Sequence, residues 1–394
     1  MEKIKRESYL KQIRPFVDTD LVKVLIGFRR SGKSVLLEQI RDELKSQNII
    51  YVNFEELENE HLLHYKSLND YIMNIAGNSK EKFYVFLDEI QEVEEWEKVV
   101  NSLRAKPNFD VYITGSNSKL LSSDLATYLG GRYISIEVFP FSYKEYKEQN
   151  PDNTLDDYIK HGGMPFLSQI GFDADFGKKY LVDVFNSVVL KDIAKRHKIR
   201  DIELLERIIG YALANVGKTF SANSITKFFK SEGRIVAPET IMNYLNYCEA
   251  AFLFYRLGHE HANSKRMLQV NDKYYVVDHG LREAVTGKNL ESTEIILENI
   301  VHLELLRRGY KVKIGVLDNN DWEIDFVAEK EGEDKLYLQI CYKLDGKDTV
   351  DREFRSLLEV KDNYPKYVLY KESSLKGNLK GIPPKNIEDW LLEQ

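Results

Sequence analysis

Cysteine is nearly absent from this chain: there are two in 394 residues, Cys248 and Cys341. That is too few, and too widely spaced, for a disulfide framework or a zinc knuckle. Proline (9) and glycine (22) are also sparse, while 43% of residues are hydrophobic and 30% charged, which excludes collagen-like, low-complexity and disordered classes. No apolar run approaches the roughly 18–20 residues that would span a bilayer. The opening stretch MEKIKRESYLKQIRPF is charged and broken by Pro15, so it lacks the apolar core of a secretory signal. Neither charge sign dominates: 56 Lys and Arg face 63 Asp and Glu, for a formal net charge of −7. A mildly acidic whole does not advertise nucleic-acid binding, although net charge averages over domains. The expectation is a cytoplasmic, globular chain without a membrane partner, holding two to four domains at about 100–200 residues each.

What is present is unevenly distributed. Acid concentrates early, in NFEELENE (53–60) and DEIQEVEEWE (88–97), and base later, in KDIAKRHKIR (191–200). The first 150 residues alternate short apolar strands with amphipathic helices. LVKVLIGF (21–28), NIIYVNF (48–54), KFYVFLDE (82–89), FDVYITGS (109–116) and RYISIEVF (132–139) read as strands. Helices are expected over 34–47, 65–76, 94–104 and 117–129. Strands apolar on both faces and alternating with helices imply a parallel sheet covered on both sides. Beyond Phe141 the periods become helical through residue 200, interrupted by the turn signal HGGMP (161–165). Three further helical stretches and a strand pair follow to about residue 280. From 290 onward a helix and four strands suggest a second α/β unit.

Gly27-Phe28-Arg29-Arg30-Ser31-Gly32-Lys33-Ser34 fits G-x-x-x-x-G-K-[ST], and it lies between a buried strand and an amphipathic helix. Glycines there let successive backbone N–H groups face one anion, and the helix N-terminus adds partial positive charge. Lys33 is expected to reach the β- and γ-phosphates of ATP and the Ser34 hydroxyl to ligate Mg²⁺. FYVFLDE then ends an apolar strand in Asp88-Glu89, where the aspartate can hold the Mg²⁺ water shell and the glutamate can polarise an attacking water. The next strand ends Thr114-Gly115-Ser116-Asn117. Asn117 fits either a sensor of the γ-phosphate or an N-cap for the segment SKLLSSDLATYL. Arg132, at the entrance of the following strand, reads either as an arginine finger or as an ordinary surface arginine.

Together GFRRSGKS, FLDEIQ, ITGSNS and GGRYISIEVFPFSYKEY resemble AAA-type P-loop ATPases, in particular prokaryotic ATP-binding proteins that carry a C-terminal domain of unknown function. HGGMP, ENIV and EIDFV extend the resemblance over nearly the whole chain. It implies an additional-strand ATPase core with a helical lid, an ATP hydrolase using ATP and Mg²⁺. Residues 201–275 read as winged-helix-like, with Thr240, Asn243 and Asn246 outward on the would-be recognition helix and Lys218, Lys227, Lys230 and Arg234 nearby; the alternative is a helical adaptor with solvated lysines. In the tail, Glu298, Asp325 and Gln339-Ile340-Cys341 occur in the order of the PD-(D/E)xK nuclease fold. Gln339 stands where a carboxylate belongs and Cys341 where lysine belongs, with Lys343 on the same strand face as a substitute. The expected organisation is therefore a P-loop parallel sheet (1–141), a helical lid (142–200), a winged-helix-like domain (201–275) and a small, degenerate restriction-endonuclease-like α/β domain (276–394). Double-stranded DNA, a second copy and a protein partner remain open as further partners.

Overall fold

The computed structural model describes residues 4–117, 120, 129–169, 174–261, 272–287, 293–317, 322–373 and 377–393. It divides into two compact units, one formed by residues 1–140 with 250–252 and the other by 141–249 with 253–394. Among the described residues no helix is long and apolar enough to cross a membrane.

Unit 1 is built on strands β1 (Val22–Ile26), β2 (Ile49–Asn53), β3 (Phe83–Asp88), β4 (Phe109–Gly115) and β5 (Tyr133–Glu137). They form a parallel sheet in the order β2-β3-β4-β1-β5. Every residue of β1 and β4 is buried, as expected of inner strands covered on both faces, whereas the edge strands β2 and β5 are only partly covered. Helices α1 (Glu7–Ile13), α2 (Lys33–Leu44), α3 (Tyr65–Ala76) and α4 (Trp96–Arg104) complete the unit. Leu36, Leu37 and Ile40 of α2 pack with Tyr9, Leu10 and Ile13 of α1 over Leu25, Phe86 and Tyr112 of the sheet. The polar intruder in β1, Lys23, is fully buried and is paired with the equally buried Asp110. An unpaired charge there would be expensive. The helix expected over 117–129 falls largely outside the described residues.

Unit 2 begins with α5 (Tyr143–Gln149) and α6 (Leu155–His161), each opened by a reciprocal capping box, Ser142 with Glu145 and Thr154 with Asp157. Next come α7 (Ala174–Ser187), a π-helical stretch (Val188–Lys195), α8 (Ile202–Ala214), α9 (Ala222–Ser231) and α10 (Pro238–Ala250). Strands β6 (Thr219–Phe220), β7 (Phe254–Leu257) and β9 (Asp272–Val276) form a small antiparallel sheet in the order β6-β9-β7. After α11 (His279–Thr286) and α12 (Thr293–Arg307), the strands β10 (Lys311–Leu317), β11 (Trp322–Glu329), β12 (Leu336–Leu344), β13 (Lys366–Ser373) and β14 (Pro384–Asn386) join the short β8 (His259–His261). Their mixed sheet runs β14-β13-β12-β11-β10-β8 and carries α13 (Lys347–Glu359) and α14 (Ile387–Leu392). The HGGMP turn has a packing reason. A Cβ on Gly163 would lie 2.3 Å from the Phe141 carbonyl oxygen, and the Gly163 N–H donates to Asp278 Oδ2 at 2.7 Å. The other oxygen of Asp278 caps α11 through the Leu281 N–H at 3.0 Å.

Candidate functional site

Three strand ends of unit 1 meet at one edge of the sheet. Ile26 pairs with Gly115, and Leu87 with Ile113, so the loop after β1, the Asp88-Glu89 pair and the Thr114–Asn117 segment lie side by side. Strand β4 lies between the other two. This is the carboxyl edge of a parallel sheet, where open α/β folds bind ligands.

The loop Gly27–Gly32 needs its glycines. Gly27 has φ +141° and a Cβ on it would stand 2.3 Å from the backbone oxygen of Val138; Gly32, at φ +97°, is the N-cap of α2. Arg30 also sits at positive φ (63°), a left-handed setting that residues other than glycine seldom adopt. Phe28 is fully buried under the loop, and Arg29 pairs with Glu55 at 2.9 Å. Lys33 is only 4% exposed. Its ammonium donates to the carbonyls of Gly27 (3.2 Å) and Phe28 (3.1 Å) and lies 3.6 Å from Glu89 Oε1.

Asp88 and Glu89 are both buried. Asp88 accepts from the Thr114 hydroxyl, from the Tyr51 phenol at 3.1 Å and from Ser34. Burial, with the neighbouring Glu89 charge, nonetheless holds its carboxyl above the ordinary range. Glu89 adopts a left-handed backbone (φ 56°), fixed by its N–H on Thr114 Oγ1 at 2.9 Å, and its Oε2 accepts from Gln91. Burial would raise the Glu89 carboxyl, but Lys33, Gln91 and Arg29 outweigh it and hold it below its usual value. Asn117, two residues past the end of β4 and so at the same sheet edge, is 2% exposed.

Arg132 is not brought to this edge. It is exposed and precedes β5, where its carbonyl accepts from Val22 N–H at 3.1 Å, at the start of β1. A five-residue strand separates that end from the loop, about 13–17 Å at the usual rise. Sequence reading missed Tyr51, Gln91 and Arg6. The first two were within reach, since Tyr51 lies in β2, the strand paired with β3, and Gln91 follows the Asp-Glu pair; Arg6 carries no local signal.

The site's donors suit a magnesium nucleotide. Mg²⁺ prefers hard oxygen ligands, which the Ser34 hydroxyl and the Asp88 carboxylate supply. Burial and the neighbouring Glu89 charge hold the Asp88 carboxyl above its ordinary range, a setting that a bound cation would relieve. The loop also buries the Ser31 hydroxyl without a hydrogen-bond partner, an orphan of the kind a phosphate oxygen satisfies.

A second ionisable cluster lies within unit 2. Glu298 of α12 accepts from the Tyr275 phenol at 3.0 Å, and Asp325 of β11 accepts from the Ile340 N–H at 2.8 Å. Burial pushes Glu298 up to about 8, with Asp325 adding to the effect, and pushes Asp325 up to about 7 against the pull of Lys273. Lys343 does not supply the cation: it is exposed and pairs with Asp345 at 3.3 Å. The ammonium among these acids belongs to Lys273 of β9, 2.5 Å from Glu323. Gln339 Oε1 lies 3.4 Å from the Asp325 N–H, and Cys341 is buried with its thiol pushed far up by desolvation.

This cluster sets a pH dependence. A carboxyl raised in the folded state binds its proton more tightly there than in the unfolded chain, so the native state holds more protons between about 4 and about 8. Stability contributed by Glu298 is therefore full at low pH and is lost as pH rises through that window. Glu298→Gln, which keeps the shape without the charge, is expected to flatten this fall and raise the melting temperature at pH 8 while leaving it little changed at pH 5. Parallel melting curves that fall equally in both proteins would refute it.

A glycine-cornered phosphate loop, its lysine, and an acidic pair across an inserted strand together define a P-loop nucleotide-site fold. Comparison with known proteins agrees. Residues 19–147 match the model of an AAA domain and residues 152–292 that of a domain of unknown function (DUF8612). An uncharacterized protein of Haemophilus influenzae is 40% identical over 403 residues, covering 99% of each chain. An uncharacterized protein of Methanocaldococcus jannaschii is 31% identical over 342 residues, covering 82% of this chain and 75% of the relative. Among solved structures, the Walker-type ATPase PABY2304 of Pyrococcus abyssi matches with a TM-score of 0.51 at 16% identity, covering 72% of this chain and 96% of that one, a likeness of fold. The chain belongs to the family of the Haemophilus and Methanocaldococcus proteins, and its residues 19–147 form an AAA-type P-loop domain.

Proposed function

We propose that unit 1 binds ATP with Mg²⁺ and hydrolyses it. The observation that carries this reading is the junction at one sheet edge of Lys33, Asp88, Glu89 and the Gly27–Gly32 loop, with the Lys33 ammonium 3.6 Å from Glu89. When bound, the metal would neutralise phosphate charge and order water. The chain's own groups then divide the work: Ser34 and Asp88 hold the metal and its water shell, Lys33 transfers its bonds from the loop carbonyls to phosphate oxygens, and Glu89 accepts the proton of the attacking water. Asn117 is assigned the sensing of the γ-phosphate side. Arg132, at the opposite sheet edge, could serve as a finger only towards a second copy. Release of phosphate from ATP by purified protein, absent without Mg²⁺, tests the reading; no turnover and no ATP binding would end it.

A second reading, an ATP-gated DNA switch, draws on α8, α9 and α10 followed by the small β6-β9-β7 sheet, an order compatible with a winged helix. Asn243 and Asn246 are exposed on α10 and Thr240 half-buried. Much of the local base is already spent, however, since Arg234 pairs with Asp201 at 2.6 Å and Arg207 with Glu232. Turnover measured with and without duplex DNA separates the two readings, because only a switch requires DNA to change it.

The helix α12 and strands β10 to β13 support a restriction-endonuclease-like reading of the tail, with an inactive site. Purified protein with Mg²⁺ or Mn²⁺ is expected to leave duplex DNA uncut. Gln339 is a neutral amide where a third metal-facing carboxylate is needed, and the ammonium of Lys273 is held by Glu323. Metal-dependent cutting that disappears in Asp325→Ala or Lys273→Met would overturn this.

A further inference from the structure

We propose that Arg6 is a positioning residue of the nucleotide site, holding the phosphate loop with its amides turned towards the anion. Arg6 lies 25 residues before the loop serine, ahead of α1, and is only 2% exposed. Its guanidinium donates from Nη1 to the Ser31 carbonyl at 3.0 Å and from Nη2 to the Phe139 carbonyl at 2.9 Å. The same guanidinium stacks 4.5 Å from the centre of the Tyr9 ring, and the Tyr9 hydroxyl accepts from the Phe139 N–H at 3.1 Å. On the other side, the Arg6 N–H donates to Gln39 Oε1 at 3.1 Å, and Gln39 Nε2 donates back to the Ile4 carbonyl at 2.7 Å. The segment Ile4–Tyr9 is thereby fastened to the first helix after the loop and to the strand exit beside it.

The consequence for the loop follows from peptide geometry. In a planar trans peptide the C=O and N–H vectors point in opposite directions. Drawing the Ser31 oxygen onto Arg6 turns the Gly32 N–H the other way. Gly32 is the N-cap of α2, so this peptide leads the row of amides at the helix N-terminus. Rotation of the same peptide would present a carbonyl oxygen where an anion must sit. A buried guanidinium is a costly device for such a task, and it persists because both donors reach main-chain oxygens. Its planar fork spans two carbonyls at once, which a lysine ammonium on a single stem does not reproduce.

The proposal rests on the phosphate-loop reading, and its test separates the two. Wild type, Arg6→Lys, Arg6→Met and Lys33→Ala would be titrated calorimetrically with Mg·ATP and with inorganic pyrophosphate, a probe of the loop without the base. Both Arg6 variants are expected to lose affinity for the two ligands together, by about 10–100-fold, as for one charge-assisted bond lost from a binding loop. KM for ATP should rise by the same factor while kcat stays within about threefold, a split that a general loss of folded protein does not give. Should Arg6→Met fail to melt cooperatively, Arg6→Lys decides, since it keeps the buried charge. Folded Arg6 variants that bind ATP like wild type, while Lys33→Ala does not, would overturn the role of Arg6 alone. ATP affinity lost with pyrophosphate affinity intact would do the same. Wild type that binds neither ligand, or Lys33→Ala that binds as wild type does, would overturn the phosphate-loop reading and this proposal with it.

Discussion

Replacing Lys33 by alanine is expected to remove nucleotide binding almost entirely. The side chain is 4% exposed and its ammonium is held by the Gly27 and Phe28 carbonyls and by Glu89, so it is already poised over the loop. Two bonds from a charged donor to phosphate oxygens are together worth about 3–6 kcal/mol, which corresponds to roughly 10²–10⁴-fold in affinity. The substitution also leaves Glu89 without its cation, and a buried carboxylate next to a polyphosphate adds repulsion to the loss. Calorimetric titration with Mg·ATP, paired with a melting curve to show that the variant is folded, measures the effect. Affinity retained within a few-fold would remove Lys33 from the phosphates.

The parts of this site that the sequence displays are those made by neighbours along the chain. A strand, a glycine-cornered turn and a helix start are contiguous between Val22 and Leu44, so the loop and Lys33 are legible as one string. Asp88-Glu89 is legible for the same reason, at the end of a run of buried residues. Arg6 is different: its two carbonyl partners lie 25 and 133 residues away, and no periodicity links them. Lys273 carries no sequence signal of this kind, because β9, β11 and α12 bring Lys273, Glu323 with Asp325, and Glu298 together only in three dimensions. Alternation along one strand points to Lys343 as the substitute, yet its ammonium pairs with Asp345 at the surface. In a parallel sheet a residue that opens a strand stands at the edge opposite to residues that close one, and Arg132 opens β5 while the loop closes β1.

Close packing accounts for the glycines of the HGGMP string. Gly162 has φ +80°, and a Cβ there would lie 2.4 Å from Asp278 Oδ1, so the turn is glycine-rich because the capped start of α11 leaves no room. A glycine-rich string can thus report close packing, which its geometry reveals.

Glu89→Gln is expected to keep ATP bound while slowing its hydrolysis by about 10²–10⁴-fold, the usual worth of a general base. The amide preserves the shape that Thr114 and Gln91 hold, through the Glu89 N–H on Thr114 at 2.9 Å and the Gln91 bond, but it cannot accept the proton of water. The pH profile adds a sharper check. Burial works to raise the Glu89 carboxyl, and Lys33 heads the groups that hold it down. Once Lys33 is drawn to phosphate oxygens, that restraint weakens and the carboxyl climbs. An acidic limb in kcat should therefore lie above the value seen for the free enzyme in kcat/KM, with turnover rising as pH increases through it, because the ionised form is the active base. The residual turnover of Glu89→Gln should lack that limb. Unchanged kcat in the variant, with the limb intact, would mean that a different group takes the proton and that the left-handed turn at Glu89 serves only to hold Lys33 in the loop.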